Sequence, residues 1–182
     1  FNLARVSELE ERRMLQDLKF SDKIADSLET HSLLLFEFLS DEESYLARLV
    51  NIFSEIMDCK GVNYSNANST MLLCSFDSPQ EAIELIREYL QQIPNTRFDQ
   101  LRASLSAGVD VEDECTDITQ LFARALQNNR NLLKRTPHGT LIMNRSAYEN
   151  LESNKENAME LEKDEQLYVL DLKDSFAANK FD

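Results

Sequence analysis

The sequence predicts an α+β fold: a ferredoxin-like, split β-α-β antiparallel sheet with helices packed on it, preceded by an N-terminal helix. Three observations predict it. Short apolar runs alternate with helix-period stripes in the order β-α-β-β-α-β, and the pattern continues as α-β-(α)-β to the C-terminus. The stretch from Gly61 to Glu88 reads as a hairpin that feeds directly into a capped helix. The chain has 182 residues and is 42% hydrophobic, enough for one ordinary core, so one globular domain with an appendage is expected.

Residues 1–29 read as a helix, with Leu3, Val6, Leu9, Met14, Leu15, Leu18, Ile24 and Leu28 among many charges and no proline or glycine. No strict heptad is sustained, so this segment either packs on its own domain or serves as a connecting or dimerising helix. The domain proper is expected over 30–173, with a tail over 174–182. His31–Leu39 is mostly apolar and reads as a strand, interrupted by Glu37. Ser40 and Glu43 have the spacing of a capping box for a helix whose stripe is Leu46, Leu49, Val50, Phe53, Ile56 and Met57, ending at Lys60-Gly61.

A first hairpin strand follows, then a polar turn over 66–70. In the second strand Met71, Leu73 and Ser75 take one face and Leu72, Cys74 and Phe76 the other, a near-continuous apolar run that predicts cover on both sides. Ser78, Pro79 and Glu81 open the next helix, and Pro94 stops it. Leu101–Val111 alternates as a strand. The acidic turn 112–117 precedes a helix with the stripe Ile118, Leu121, Phe122, Ala125, Leu126, Leu132 and Leu133. Asp117 lies at its N-terminus, and Lys134 and Arg135 at its C-terminus. Pro137-His138-Gly139 turns into a strand over Thr140–Met143, followed by a brief helix from Asn144 to Leu151. Residues 152–166 are polar and acidic, as expected of a loop, and a strand over 166–172 closes the domain.

Composition removes several functions. Nineteen basic against 33 acidic residues give a formal charge of −14, which disfavours nucleic acid or an anionic membrane as partner. No apolar run approaches the roughly 20 residues needed to span a bilayer, and no signal peptide opens the chain, whose first residue, Phe1, suggests a piece of a longer protein. Three glycines exclude a glycine-rich phosphate loop. The cysteines, Cys59, Cys74 and Cys115, are odd in number and lack paired spacing, as expected of reduced thiols in the cytoplasm. Glu112, Asp113, Glu114 and Asp117 lack the alternating spacing and central glycine of a calcium loop. With two histidines and no serine or cysteine arranged beside them, no nucleophilic triad is indicated.

Over residues 31–172 the element order and several strings resemble the class III nucleotide (adenylate/guanylate) cyclase catalytic domain. LLLFEFL resembles that family's first strand, which leads to a metal-binding aspartate. NSTMLLCSF followed by SPQEAIELI resembles its "Gly-Asp-…-Phe" hairpin and next helix. LRASLSAGV resembles its "Leu-Arg-…-Gly" strand, ITQLFARAL the helix of its Asn-x-x-x-Arg pair, and TPHGTLIMNRSAYENL its "Pro-Gly-x-Ile-x-Val-Ser" strand.

The chemistry of that family needs two divalent ions held by carboxylates. The resemblance places Glu37 at the first metal ligand and Thr70, a hydroxyl in place of an aspartate, at the second. It places Gln120 and Arg124 at the Asn-x-x-x-Arg positions, Arg124 where a cation would meet a transferring phosphoryl group.

The expectation is therefore a catalytically degenerate cyclase-homology domain, a pseudoenzyme acting as a regulatory or structural signalling module. It would need no cofactor and would pair as a homodimer, or with another protein domain, through its sheet, hairpin face or N-terminal helix. The alternatives are an active or weakly active cyclase that turns ATP or GTP into a cyclic nucleotide with Mg²⁺ or Mn²⁺, and a nucleotide-sensing domain without turnover.

Overall fold

The computed structural model describes residues 32–68, 70–108, 127–162 and 166–176. The N-terminal helix read over 1–29, the acidic turn 112–117, Gln120, Arg124 and residues 177–182 of the tail lie outside them. Seven strands form one sheet in the order β2-β3-β1-β4-β5-β7-β6. They are β1 (Ser32–Phe38), β2 (Asn63–Asn68), β3 (Met71–Phe76), β4 (Leu101–Ala107), β5 (Thr140–Met143), β6 (Met159–Glu162) and β7 (Leu167–Asp171). The first four give the split β-α-β order expected, with β1 antiparallel to both β3 and β4. The β4–β5 pair is parallel, which makes the sheet mixed. A parallel pair requires a crossover rather than a tight turn, and a helix over 127–134 lies in that connection.

Helices α1 (Glu43–Lys60) and α2 (Pro79–Gln91) pack on one face. Their apolar stripes meet Leu34, Phe36 and Phe38 of β1 and Leu72, Cys74 and Phe76 of β3 in the main core. At its centre stand Phe36, Phe38, Phe53 and Tyr89, with the Phe53 ring 4.8 Å from both Phe36 and Tyr89. The Tyr89 hydroxyl donates to the Leu49 carbonyl at 3.0 Å, which satisfies the one polar atom of this cluster. The opposite face carries Leu33, Leu35 and Leu73, also buried. Helix α3 (127–134) covers it: Asn129 Nδ2 donates to the Leu33 carbonyl at 2.9 Å, and Ser104 Oγ donates to the Asn129 carbonyl at 2.9 Å. Two covered faces explain why β1 and β3 read as near-continuous apolar runs.

Several boundaries differ from the sequence reading, each for a local reason. Ser40 does not cap α1. Glu42 is the N-cap, without a side-chain bond, and Ser40 Oγ instead accepts from the Glu42 amide at 3.2 Å within the preceding turn. The Ser78 box does form: Ser78 Oγ accepts from the Glu81 amide, and the Glu81 carboxylate accepts from the Asp77 amide. Gly61 ends α1 at φ 68°, a left-handed C-cap that glycine adopts without strain. The hairpin turn is tighter than 66–70, because β2 runs on to Asn68, with a register shift between Asn66 and Asn68. The acidic segment 152–166, read as a loop, contains β6. Met159 and Glu160 pair with Val169 and Tyr168 of β7, so the hairpin partner rather than hydrophobicity makes it a strand. Residues 172–176 form a short helix, α5 (Leu172–Phe176), whose Phe176 is buried. Another brief helix, α4 (Arg145–Glu149), is capped by Asn144, as its position predicts.

Cys74 is buried as expected, and its thiol donates toward Met57 Sδ at 3.3 Å. Burial pushes this thiol far above its ordinary value near 9. The folded state therefore keeps a proton that the unfolded chain releases, so stability holds up to about pH 9 and then falls, by at most about 1.4 kcal/mol per pH unit from this group. Tyr89 is pushed up by burial and then by Tyr45, and Tyr64 by burial and then by its bond to Asp58, which extends the loss above pH 10. Urea melts of the parent and Cys74→Ala across this range test the assignment. The variant is expected to lose the fall that begins near pH 9 and keep the one above pH 10. Identical profiles would show that Cys74 is not the group responsible.

Candidate functional site at the end of the central strands

The C-terminal end of β1 lies between the hairpin and the start of β4. Strand alternation turns Phe36 and Phe38 into the main core and Glu37 onto the opposite face, where its register partners are Met71 on β3 and Arg102 on β4. The Phe38 amide donates to the Thr70 carbonyl at 2.8 Å, which brings the hairpin turn against the end of β1. Two candidates far apart in sequence, Glu37 and Thr70, are thus brought to the same end of the sheet.

The chemistry of the place depends on a residue that sequence reasoning missed. Arg102 Nε donates to Glu37 Oε1 at 2.7 Å, and Arg102 Nη1 donates to the Thr136 carbonyl at 3.4 Å, just beyond α3. The two side chains are only 12% and 20% exposed, so this charge pair is shielded from water. Thr136 is itself fastened to α3, its hydroxyl donating to the Leu132 carbonyl at 2.7 Å. The arrangement joins β1, β4 and the end of α3 through one guanidinium. The signal that could have found it is register: aligning LLLFEF antiparallel to LRASLSA sets Glu37 opposite Arg102.

The residues at this end do not fit a pair of divalent ions. Such ions require several oxygen ligands, carboxylates foremost. Here the Glu37 carboxylate is already matched by a guanidinium, and Thr70 can add only an uncharged hydroxyl. Among the described residues, no three of His, Cys, Asp and Glu converge as a group able to hold a metal. Nor is any helix among them long and apolar enough to cross a membrane.

No protein-family model matches the sequence, and no curated protein matches it. Solved structures do. An adenylate cyclase from Trypanosoma brucei, described in its monomeric state, superposes with a TM-score of 0.53 over 85% of this chain and 94% of its own, at 11% identity. A double mutant of the guanylyl cyclase domain of the RhoGC fusion protein from the aquatic fungus Blastocladiella emersonii, also monomeric, gives 0.52 over 78% of this chain and 94% of its own, at 14% identity. A dimeric form of that domain gives 0.51 over the same shares, 78% and 94%, at 13% identity. The chain has the fold of the class III adenylate and guanylyl cyclase catalytic domains.

Proposed function

We propose that this is a catalytically degenerate, nucleotide-cyclase-like domain that works as a regulatory or structural protein-interaction module within a larger cytosolic protein. One observation carries the reading. Glu37, the acid that the resemblance sets at the first metal position, is held at 2.7 Å by Arg102, a cation belonging to the protein itself. A divalent ion would have to displace that guanidinium from its carboxylate and from the Thr136 carbonyl, and would find no second carboxylate at Thr70. The net charge of −14 further disfavours an anionic nucleotide unless metal ions neutralise its phosphates.

Isothermal titration with non-hydrolysable ATP and GTP analogues, in the presence of Mg²⁺ or Mn²⁺, tests the proposal. No metal-dependent heat is expected. Micromolar, metal-dependent binding of either nucleotide would overturn it and favour a sensor or an active cyclase.

A further inference from the structure

We propose that Ser153 is a phosphorylation site, its phosphate received by the Arg87 guanidinium of α2. The Ser153 oxygen lies against two donors that reach it from that helix. Gln80 Nε2 donates to it at 2.8 Å and Arg87 Nη2 at 3.2 Å. The Gln80 amide has a fixed orientation, because its Oε1 accepts from the Glu152 and Ser153 amides at 2.9 and 3.1 Å. Its NH₂ end is therefore the one turned to the serine. The Ser153 hydroxyl gives its own proton to no acceptor among the described residues. Two converging donors and an unclaimed proton suit an anionic oxygen better than a hydroxyl.

Arg87 is the matching charge. It also donates to Asn154 Oδ1 and lies over the Phe176 ring, 6.0 Å from the centroid. It has no carboxylate partner among the described residues. In a chain with 33 acidic and 19 basic residues, a half-buried guanidinium held only by neutral groups has its charge free for an incoming anion. A phosphoserine carries about −1.5 to −2 charges at pH 7 and three strong acceptor oxygens. Arginine bonds to phosphate are roughly twice as strong as neutral ones, so the exchange would hold the loop at 152–154 more firmly on α2. Asn154 Nδ2 donates to the Ser175 carbonyl at 3.3 Å, which carries the same tie to α5.

The serine can be reached. It is half-buried in the loop between α4 and β6, so an enzyme gains access when a few loop hydrogen bonds open. Exposed Glu152 and Glu156 flank it, which fits a kinase with a basic substrate groove. In the transfer, Ser153 Oγ bonds to the γ-phosphorus of ATP and the bond from that phosphorus to the β–γ bridging oxygen breaks. ADP leaves, and the hydroxyl proton passes to the catalytic base of the kinase. The inference rests on the reading of a regulatory module within a cytosolic protein, where kinase and ATP meet it.

Incubation of the full chain with ATP, Mg²⁺ and casein kinase II, a serine kinase directed by acidic residues, tests the modification, with sites read by tandem mass spectrometry. Phosphate at Ser153 is expected. No phosphate, or phosphate only elsewhere, as at Ser40 before the acidic run Asp41-Glu42-Glu43, would overturn the proposal. Phosphorus NMR of the chain with phosphoserine in place of Ser153 then tests the receiver. An isolated phosphoserine loses its second proton at about pH 6, and beside Arg87 that midpoint is expected to fall by about half a pH unit or more. Arg87→Gln is expected to return it to about pH 6, whereas Arg87→Lys, which keeps the charge, retains part of the fall. Circular dichroism confirms that both variants fold. A midpoint that Arg87→Gln leaves unchanged would overturn the pairing. The titration with nucleotide analogues involves neither kinase nor phosphoserine, so this inference and the module reading fail separately.

Discussion

Phe53→Ala is expected to lower the folding stability of this domain by about 3–5 kcal/mol, read from the midpoint and slope of urea melts. Phe53 is fully buried, and its ring contacts Phe36, Phe38 and Tyr89 with centroids 4.8, 5.7 and 4.8 Å away. The four rings come from three segments that meet only in the tertiary fold: β1, α1 and α2. The cavity left by alanine lies under the central strand, where packing on both faces leaves little room to collapse. Domains of this size have roughly 5–15 kcal/mol in total, so the loss removes a large share of the whole. Phe53→Leu keeps most of the volume and should cost less than about 1.5 kcal/mol. Equal, small effects from both substitutions would mean that the four-ring cluster is not the centre of the core.

Glu37→Ala is expected to cost about 2–3 kcal/mol, because it leaves the Arg102 side chain, only 20% exposed in the intact pair, without its carboxylate. Arg102→Leu should cost a similar amount by stranding Glu37. The informative variant is the double one. Replacing both partners with leucine removes both desolvation costs and is expected to fall within about 1 kcal/mol of the parent. A double-mutant cycle of Glu37→Leu, Arg102→Leu and the double variant, by urea denaturation, measures the coupling directly. Additive losses would show that the pair is not coupled, and with it would go the main support for Arg102 as the internal counter-ion of the candidate site. Glu37→Ala also bears on function. Under the module reading it changes stability without changing any nucleotide response.

The two substitutions differ in what the sequence could have revealed. Phe53 belongs to an α1 stripe with helical period, so its burial was legible from spacing alone. The alternation of β3, the capped start of α2 at Ser78-Pro79 and the short strand Thr140–Met143 were legible for the same reason: each is written in residues a few positions apart. The Glu37–Arg102 pair was not, because 65 positions separate its partners and only the antiparallel register of β1 with β4 brings them together. Glu37 alone was visible as an acid in an apolar strand, which a metal ligand and a paired core carboxylate explain equally well until the neighbouring strand is known. Strand β6 was hidden for a related reason: Met159–Glu162 is too short and acidic to signal a strand, and pairing with β7 makes it one.

What the sequence determined by itself is therefore local and periodic. It specified the strand and helix order of the described residues as far as α4, the capping at Ser78, the turn at Gly61 and the two-sided burial of β3, since short-range sterics and the burial of periodic apolar faces set these. Tertiary structure alone decided the parallel β4–β5 pair, the tight hairpin end at Thr70 beside Phe38, and the placing of Arg102 against Glu37. Each of those depends on which strand lies beside which, and that is settled by the packing of the whole sheet between its helices. The functional reading follows from the second group, because whether Glu37 meets a metal ion or a guanidinium is a property of its neighbour.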